Sequence, residues 1–268
     1  LIFLHQLYPS YYLLTKKPNK KIIFYYHGAS NRLQRINFKI SMMLYKKRMT
    51  KIMAVSQAGI NQIKKMIGNI SAEVIYNGVD TNFYNPDLSR PYTHGEPQLL
   101  FVSALRPYKK ASLLISFMPD LLKKYPKIHL QIVGTGEQKL LLENLVKKLE
   151  LENHVELTGR IDDDQLKLRY SSCDVYVSAS TFEVCPVPTL EAMACGKPLV
   201  LFDIEPHQEI INISNAGKIF SLDKNSDFIT ILDDVYKNKD LYKKSALKFI
   251  KSHDWKSITK QLIQTLDE

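Results

Sequence analysis

The chain has 268 residues, of which 37 are Lys or Arg and 27 Asp or Glu, a formal charge of +10; 45% are hydrophobic, 24% charged and 10% aromatic. At roughly 100–200 residues per domain this is one large or two small globular domains, and the near-average composition excludes a disordered, collagenous or coiled-coil chain. No apolar run reaches the ~18–20 residues that span a bilayer. Three cysteines, Cys173, Cys185 and Cys195, fit neither a disulfide framework nor a common zinc spacing, so a reducing compartment is the default.

The charge is lopsided. Residues 1–95 hold 14 Lys or Arg against only Glu73, Asp80 and Asp87, a balance of +11 that leaves the remainder at −1. Such a half suggests an anionic partner: a membrane, a nucleic acid or a phosphorylated substrate. The chain opens at Leu1 inside the apolar run LIFLHQL, without the charged segment before it or the small-residue cleavage site after it that mark a signal peptide. We read it as missing residues upstream.

In chain order, Lys21–Gly28 (KIIFYYHG) is β-branched and aromatic and reads as a buried strand. Asn31–Thr50 reads as a helix with Leu33, Ile36, Ile40, Met43 and Leu44 on one face. Lys51–Ser56 is a strand, Gln57–Ile67 a helix and Ala72–Gly78 a strand. Asp80–Gln98 holds Pro86, Pro91 and Pro97 without periodicity and reads as a linker. The second half alternates more cleanly: strands at Leu99–Ala104, Ile128–Gly134, His154–Gly159, Asp174–Ser180 and Pro198–Asp203, with helices at Ser112–Lys124, Glu137–Glu150, Asp163–Ser171 and Pro188–Cys195. Strands alternating with helices predict parallel sheets covered on both faces, and in such sheets ligands bind at the carboxyl ends of strands.

The residues after the strands therefore carry the chemistry. They are His27-Gly28, Asn77-Gly78, Ser103 to Lys110, Gly134-Thr135-Gly136, Gly159-Arg160 and Ser180 to Pro188. Arg106, Lys109 and Lys110 form a cation cluster suited to a diphosphate, or else a solvated basic turn. Glu183 precedes the helix that begins near Pro188, and Glu191 lies about one turn inside it. Free amides at such a helix start favour an anion. Asp162-Asp163-Asp164 precede a helix and read as capping residues rather than metal ligands. His5, His94, His129, His154, His207 and His253 share no spacing and read as structural or surface residues. Arg32, Arg35, Lys39, Lys46, Lys47 and Arg48 make the Asn31–Thr50 helix basic, with no acidic residue before Ala72, a pattern suited to an anionic membrane surface.

Seven ordered segments now matter together. FEVCPVPTLEAMACGKPLVLFDIEPHQEII (Phe182–Ile211) resembles the signature of the glycosyltransferase group 1 family, retaining sugar transferases of family four with the GT-B fold. AVSQAG (Ala54–Gly59), VIYNGVD (Val74–Asp80), FVSALRPYKKASLLISF, QIVGTGEQKLLLENL, VELTGRIDDDQLKLRYSSCDVYVSAS and HDWKSITKQL (His253–Leu262) follow that family's order. The resemblance implies two Rossmann-like lobes: an incomplete acceptor-side lobe at about 1–90, a nucleotide-sugar lobe at about 97–250, and a last helix, 251–268, crossing back to the first. Nothing before Ile22 resembles the family's glycine-rich acceptor loop.

The resemblance further implies transfer of a hexose, mannosyltransferase-like, from a nucleotide diphosphate sugar to a hydroxyl of a glycan or lipid-linked acceptor, with no metal or other cofactor. His27, Lys109 and Glu183 match the catalytic positions. Ser103, Arg106, Lys110, Gly134, Gly159, Arg160, Ile161, Val184, Cys185, Pro186, Val187 and Glu191 match the donor-binding side, Glu191 being the residue that holds ribose hydroxyls. Ala104 stands where many members carry an arginine, which leaves that charge to Arg106 or Lys110. A cytoplasmic protein, peripheral on the inner face of a membrane, is expected. The rival readings are a nucleotide-sugar epimerase-like enzyme and a non-catalytic nucleotide-sugar or anion-binding module. A nucleic-acid partner lacks any motif, and Gly134-Thr135-Gly136 is not a dinucleotide fingerprint.

Overall fold

The computed structural model describes residues 2–5, 21–222 and 227–267. The chain divides into two compact units, one of Leu1–Asn77, Glu183–Pro186 and Ile258–Glu268, the other of Gly78–Phe182 and Val187–Ser257.

In the first unit β1 (Ile2–Leu4), β2 (Ile22–Tyr26), β3 (Lys51–Ala54) and β4 (Glu73–Val74) form a parallel sheet in the order β1-β2-β3-β4. The opening apolar run thus supplies an edge strand, in register with β2 from Ile2↔Ile22 to Leu4↔Phe24. Helices α1 (Arg32–Tyr45) and α2 (Gln57–Ile67) cross between strands. Asn31 caps α1 by accepting from the Gln34 amide, and Ser56 caps α2 by accepting from the Gly59 amide. Alternation along β2 sends Ile22, Phe24 and Tyr26 to one core with Phe38, Met42, Ile60 and Ile63, and Ile23 to another with Met53, Ile75 and Ile258. Ile258 comes from the last helix, α10 (Trp255–Asp267), whose apolar face covers the second side of this sheet.

Helix α1 buries Phe38, Ser41 and Met42, while the apolar face read from the sequence, Leu33, Ile36, Ile40, Met43 and Leu44, is exposed. Phe38 and Met42, one turn apart, form a second apolar row, and that row faces the sheet. The strand expected over Ala72–Gly78 is ordered only at Glu73–Val74, and the Ile75 amide still donates to Ala54.

The second unit holds six parallel strands: β5 (Gln98–Val102), β6 (His129–Val133), β7 (Val155–Gly159), β8 (Val175–Ser178), β9 (Leu199–Phe202) and β10 (Gly217–Phe220), in the order β10-β9-β8-β5-β6-β7. Helices α3 (Ala111–Lys124), α4 (Lys139–Lys148), α5 (Asp163–Ser172), α6 (Val187–Ala194), α7 (Glu205–Ser214), α8 (Phe228–Lys237) and α9 (Lys239–Ile250) connect and cover them; α10 (Trp255–Asp267) ends the chain. Strand order reverses between β5 and β8, the switch point at which doubly wound sheets open a crevice. A core of Leu99, Phe101, Ile115, Met118, Ile132, Val177 and Phe220, among others, lies on one face.

The proline-rich stretch is not a free linker. It belongs to the second unit, where the Arg90 guanidinium donates to the Ser172 carbonyl and pairs with Asp174 at 3.0 Å, and Tyr84 is buried.

Candidate functional site

The loops that leave β5 and β8 meet at the switch point of the second unit. The Thr181 amide and hydroxyl both donate to the Tyr108 carbonyl, at 2.8 and 3.0 Å, and Tyr108 stacks edge-on against Phe182. Lys109 closes the short helical turn Pro107–Lys109, half-buried, with its ammonium 5.4 Å from the Tyr108 ring centre. Lys110 adopts a left-handed conformation (φ 52°) at the start of α3 and is exposed, as is Arg106. The β5 exit thus presents three cations within five residues, next to the exit of β8.

The glycines of the neighbouring loops have steric reasons. Gly134 sits at φ +135°, and a Cβ there would lie 1.9 Å from the Ser103 carbonyl oxygen. Its amide donates to the Gly159 carbonyl, which joins the exits of β6 and β7. A Cβ on Gly159 would meet only the Lys139 ammonium, at 3.9 Å, but its φ is +73°. Ser103 donates its hydroxyl to Ala104, while Arg160 is exposed and Ile161 half-buried beside them.

Glu191 is half-buried on α6, one turn after the exposed Val187. The Tyr170 hydroxyl, on a ring with no solvent exposure, donates to Oε2 of Glu191 at 2.7 Å. Tyr84 also donates to it and meets Tyr170 edge-on at 5.6 Å. Burial pushes the Glu191 carboxyl above the usual carboxylate range, while the two tyrosine hydrogen bonds pull it back down and nearby Asp163 adds to the rise. Asp162 accepts from the Gln165 amide at 2.7 Å, with Asp163 and Asp164 in the first turn of α5. That is the capping role expected of the aspartate run; among the described residues no cluster of His, Cys, Asp or Glu could hold a metal.

The remaining sequence-predicted residues lie in the first unit. Glu183–Pro186 is held there by three side chains in succession: Gln62 donates to the Glu183 carbonyl at 3.2 Å, Ser56 to Val184 at 2.7 Å and Asn77 to Cys185 at 3.4 Å. Val184 is buried, packed so closely that a Cβ on Gly28 would come within 2.5 Å of its Cγ2 and one on Gly59 within 3.1 Å of Cγ1. The AVSQAG and VIYNG segments therefore build the seat of this turn. The Val184 side chain anchors that seat, and its carbonyl is taken by Ser56. Pro186 is buried and Cys185 half-buried.

His27 leaves β2 at the surface, 2.9 Å (Nε2) from Nδ1 of His5, with Tyr25 edge-on at 4.6 Å. Desolvation, then repulsion from His5, lowers its pKa, which favours the neutral ring.

Sequence reasoning missed three participants. His5 lies 22 residues before His27 and shares no motif with it. Tyr84 and Tyr170 come from distant segments, and only the fold brings them to one carboxylate. The apolar–aromatic pair Phe83-Tyr84 just after VIYNGVD was the one available signal.

A doubly wound parallel sheet with cations after its first strand and a half-buried carboxylate on α6 defines an α/β protein of the Rossmann type. The more specific assignment comes from likeness: residues 89–264 match the family model for glycosyl transferases group 1, and residues 1–83 that for glycosyltransferase family 4. The chain belongs to the glycosyltransferase group 1 family. An uncharacterised glycosyltransferase of Methanocaldococcus jannaschii is 29% identical over 71% of this chain and 52% of its own length. The phosphatidyl-myo-inositol mannosyltransferase of Mycolicibacterium smegmatis is 24% identical over 80% of this chain and 56% of its own. The chain thus spans about half the length of these relatives.

Among solved structures, sucrose-phosphate synthase from Thermosynechococcus elongatus aligns with a TM-score of 0.81 at 18% identity, over 99% of this chain and 72% of that one. Anabaena HepE, solved with UDP and glucose, aligns at 0.77 and 22% identity, over 92% and 72%. These likenesses show the GT-B type of fold, with its parallel Rossmann-like sheets.

Proposed function

We propose that the chain is the donor-binding portion of a retaining glycosyltransferase, moving a hexose from a nucleotide diphosphate sugar to an acceptor hydroxyl. The observation that carries this reading is the Glu191 carboxylate, held by two tyrosines on α6 beside the switch point, in a chain of this family. A carboxylate so held accepts from two vicinal ribose hydroxyls. Lys109, with Arg106 or Lys110, and the amides that open α6 would neutralise the departing diphosphate, which leaves no charge for a metal to offset. Glu183 would face the transferred sugar and neutral His27 would donate to it. HepE was solved with UDP-glucose, which supports a UDP-linked donor. The name of the mycobacterial relative supports a lipid-linked acceptor at a membrane face and a mannose donor as its variant.

A thermal-shift panel of UDP, GDP and ADP sugars tests the donor, because a ligand that binds only the native state raises its melting temperature. One nucleotide should stabilise the protein, and Lys109→Ala should weaken it about 10- to 100-fold, the loss of one charge-assisted contact. No shift with any of them would refute the reading. Labelled donor and product analysis separates transfer from epimerisation.

A further inference from the structure

The second unit has a charged cleft at the other end of its strands. Asp174 directly precedes β8, and Lys197-Pro198 directly precede β9, so these residues lie at amino ends; the loops that carry Lys109 and open α6 leave carboxyl ends. The cleft holds about 140 Å³, and its charged lining is Arg90, Asp174, Lys197, Lys239, Asp240 and Lys243. Four cations there face two carboxylates, a surplus of two positive charges. The fold fixes where these cations sit. The Lys197 ammonium donates to the Ser171 carbonyl at 2.7 Å, and the Arg90 guanidinium to the next carbonyl, Ser172, at 2.9 Å, both in the last turn of α5. A carbonyl satisfies one donor and cancels no charge, and an ammonium has three donors. Among the described residues Lys197 has no carboxylate within ion-pair distance. Lys197 is half-buried, and desolvation lowers its pKa; Arg90 adds to the fall, while Cys173, Cys195 and Asp174 oppose it. Asp174 is already shared: it pairs with Arg90 at 3.0 Å and with Lys239 at 3.5 Å, and accepts the Gln98 amide at 2.9 Å. Lys243 lies across Gly196, where a Cβ would come 3.2 Å from its Cγ and 3.3 Å from its Cε. Glycine there, at φ +68°, thus seats the lysine stem against the cleft.

We propose that this cleft binds a small tetrahedral oxyanion, the phosphoryl group of inorganic phosphate or of a phosphomonoester, between Arg90, Lys197 and Lys243. The two other donors of Lys197 and the Lys243 ammonium supply charge-assisted hydrogen bonds. The anion supplies the counter-charge that a partly desolvated ammonium otherwise lacks. Three cations from separate segments suit a ligand with several equivalent oxygens better than a planar carboxylate, which offers two. A volume of about 140 Å³ admits a phosphoryl group and falls well below the ~300 Å³ at which pockets for larger organic ligands begin, so a nucleoside diphosphate is excluded by size. The donor loops take no part in this site.

The test is calorimetric titration of the full chain with inorganic phosphate, glycerol 1-phosphate and acetate, at constant ionic strength and without nucleotide. Saturable binding of a phosphoryl group is expected, with acetate much weaker. Lys197→Met keeps the stem and should weaken that binding about 10- to 100-fold, the loss of a charge-assisted contact. Lys243→Gln, at an exposed position, should keep the circular dichroism and melting temperature yet weaken binding about 2- to 5-fold. Lys109→Ala should leave phosphate affinity where it was, which separates this cleft from the donor loops. Tighter binding of the ester would identify a phosphomonoester as the ligand, and tighter binding of the inorganic ion free phosphate. No saturable heat with either would overturn the proposal, as would acetate binding as tightly as phosphate. So would affinity that falls in Lys109→Ala and is unchanged in Lys197→Met and Lys243→Gln, a result that would move the anion to the β5 exit. Because no nucleotide or sugar donor is present, failure here leaves the donor reading untouched.

Discussion

Burial raises the Glu191 carboxyl, and the hydroxyls of Tyr170 and Tyr84 hold it partly down, with Asp163 the nearest opposing charge. Tyr170→Phe removes one donor and keeps the ring, so the carboxyl should titrate still higher. UDP binding, followed calorimetrically, should weaken near neutral pH, because a smaller fraction of Glu191 is ionised and the carboxylate loses one of the two hydroxyls that hold it, and recover partly as pH rises. A purely structural role for Tyr170 would lower the melting temperature and leave the pH profile where it was. Glu191→Gln gives the complementary test. A folded-state pKa above the ordinary 4.5 means that the folded protein binds more protons than the unfolded chain between those two values, so stability falls as pH rises through that window. The glutamine variant should therefore melt higher than the native protein at neutral pH, with little gain below 4.5. It should also lose its stabilisation by nucleotide, a trade of function for stability. An unchanged or lower melting temperature at neutral pH would contradict the carboxyl's burial cost.

At the scale of elements, the strand-end loops were legible because glycine and cation positions follow directly from sheet geometry. Gly134 illustrates the point, since it is required both by φ and by the Ser103 carbonyl against it. Gly134→Ala should cost at least about 2 kcal/mol through overpacking and backbone strain together. Gly68→Ala, at φ +81° but with nothing within 4 Å, should cost only about 1–2 kcal/mol. Paired urea titrations would compare them, and equal losses would show that the contact with Ser103 adds nothing. The outward face of α1 was not legible. Periodicity finds an apolar sector but does not say which sector meets the sheet, and Phe38 with Met42 offered a rival row of two residues against five. The wider row lost because Phe38 packs against the Phe24 and Tyr26 rings at 5.9 and 5.1 Å. The Tyr84–Tyr170–Glu191 cluster escaped for another reason: its members meet only through tertiary packing, and no spacing encodes them.

For the whole molecule, the +10 charge and the single length conceal two bodies with separate cores, and the excess charge belongs to the first 95 residues. Each sheet is buried by its own helices, so a lesion in one core should be felt first in that unit. Met42→Ala removes a side chain with no solvent exposure from the first core, and a change of this kind costs about 2–5 kcal/mol. Hydrogen exchange should then quicken at the amides of β2 and β3 while those of β5 and β6 keep their protection. Met118→Ala, equally buried in the second core, should do the reverse, and should also weaken the slowing of exchange that a bound nucleotide diphosphate produces at the β5 and β6 exits. Faster exchange throughout the chain in both variants would mean that the two cores open as one cooperative block, and the division into units would then describe contacts without describing stability.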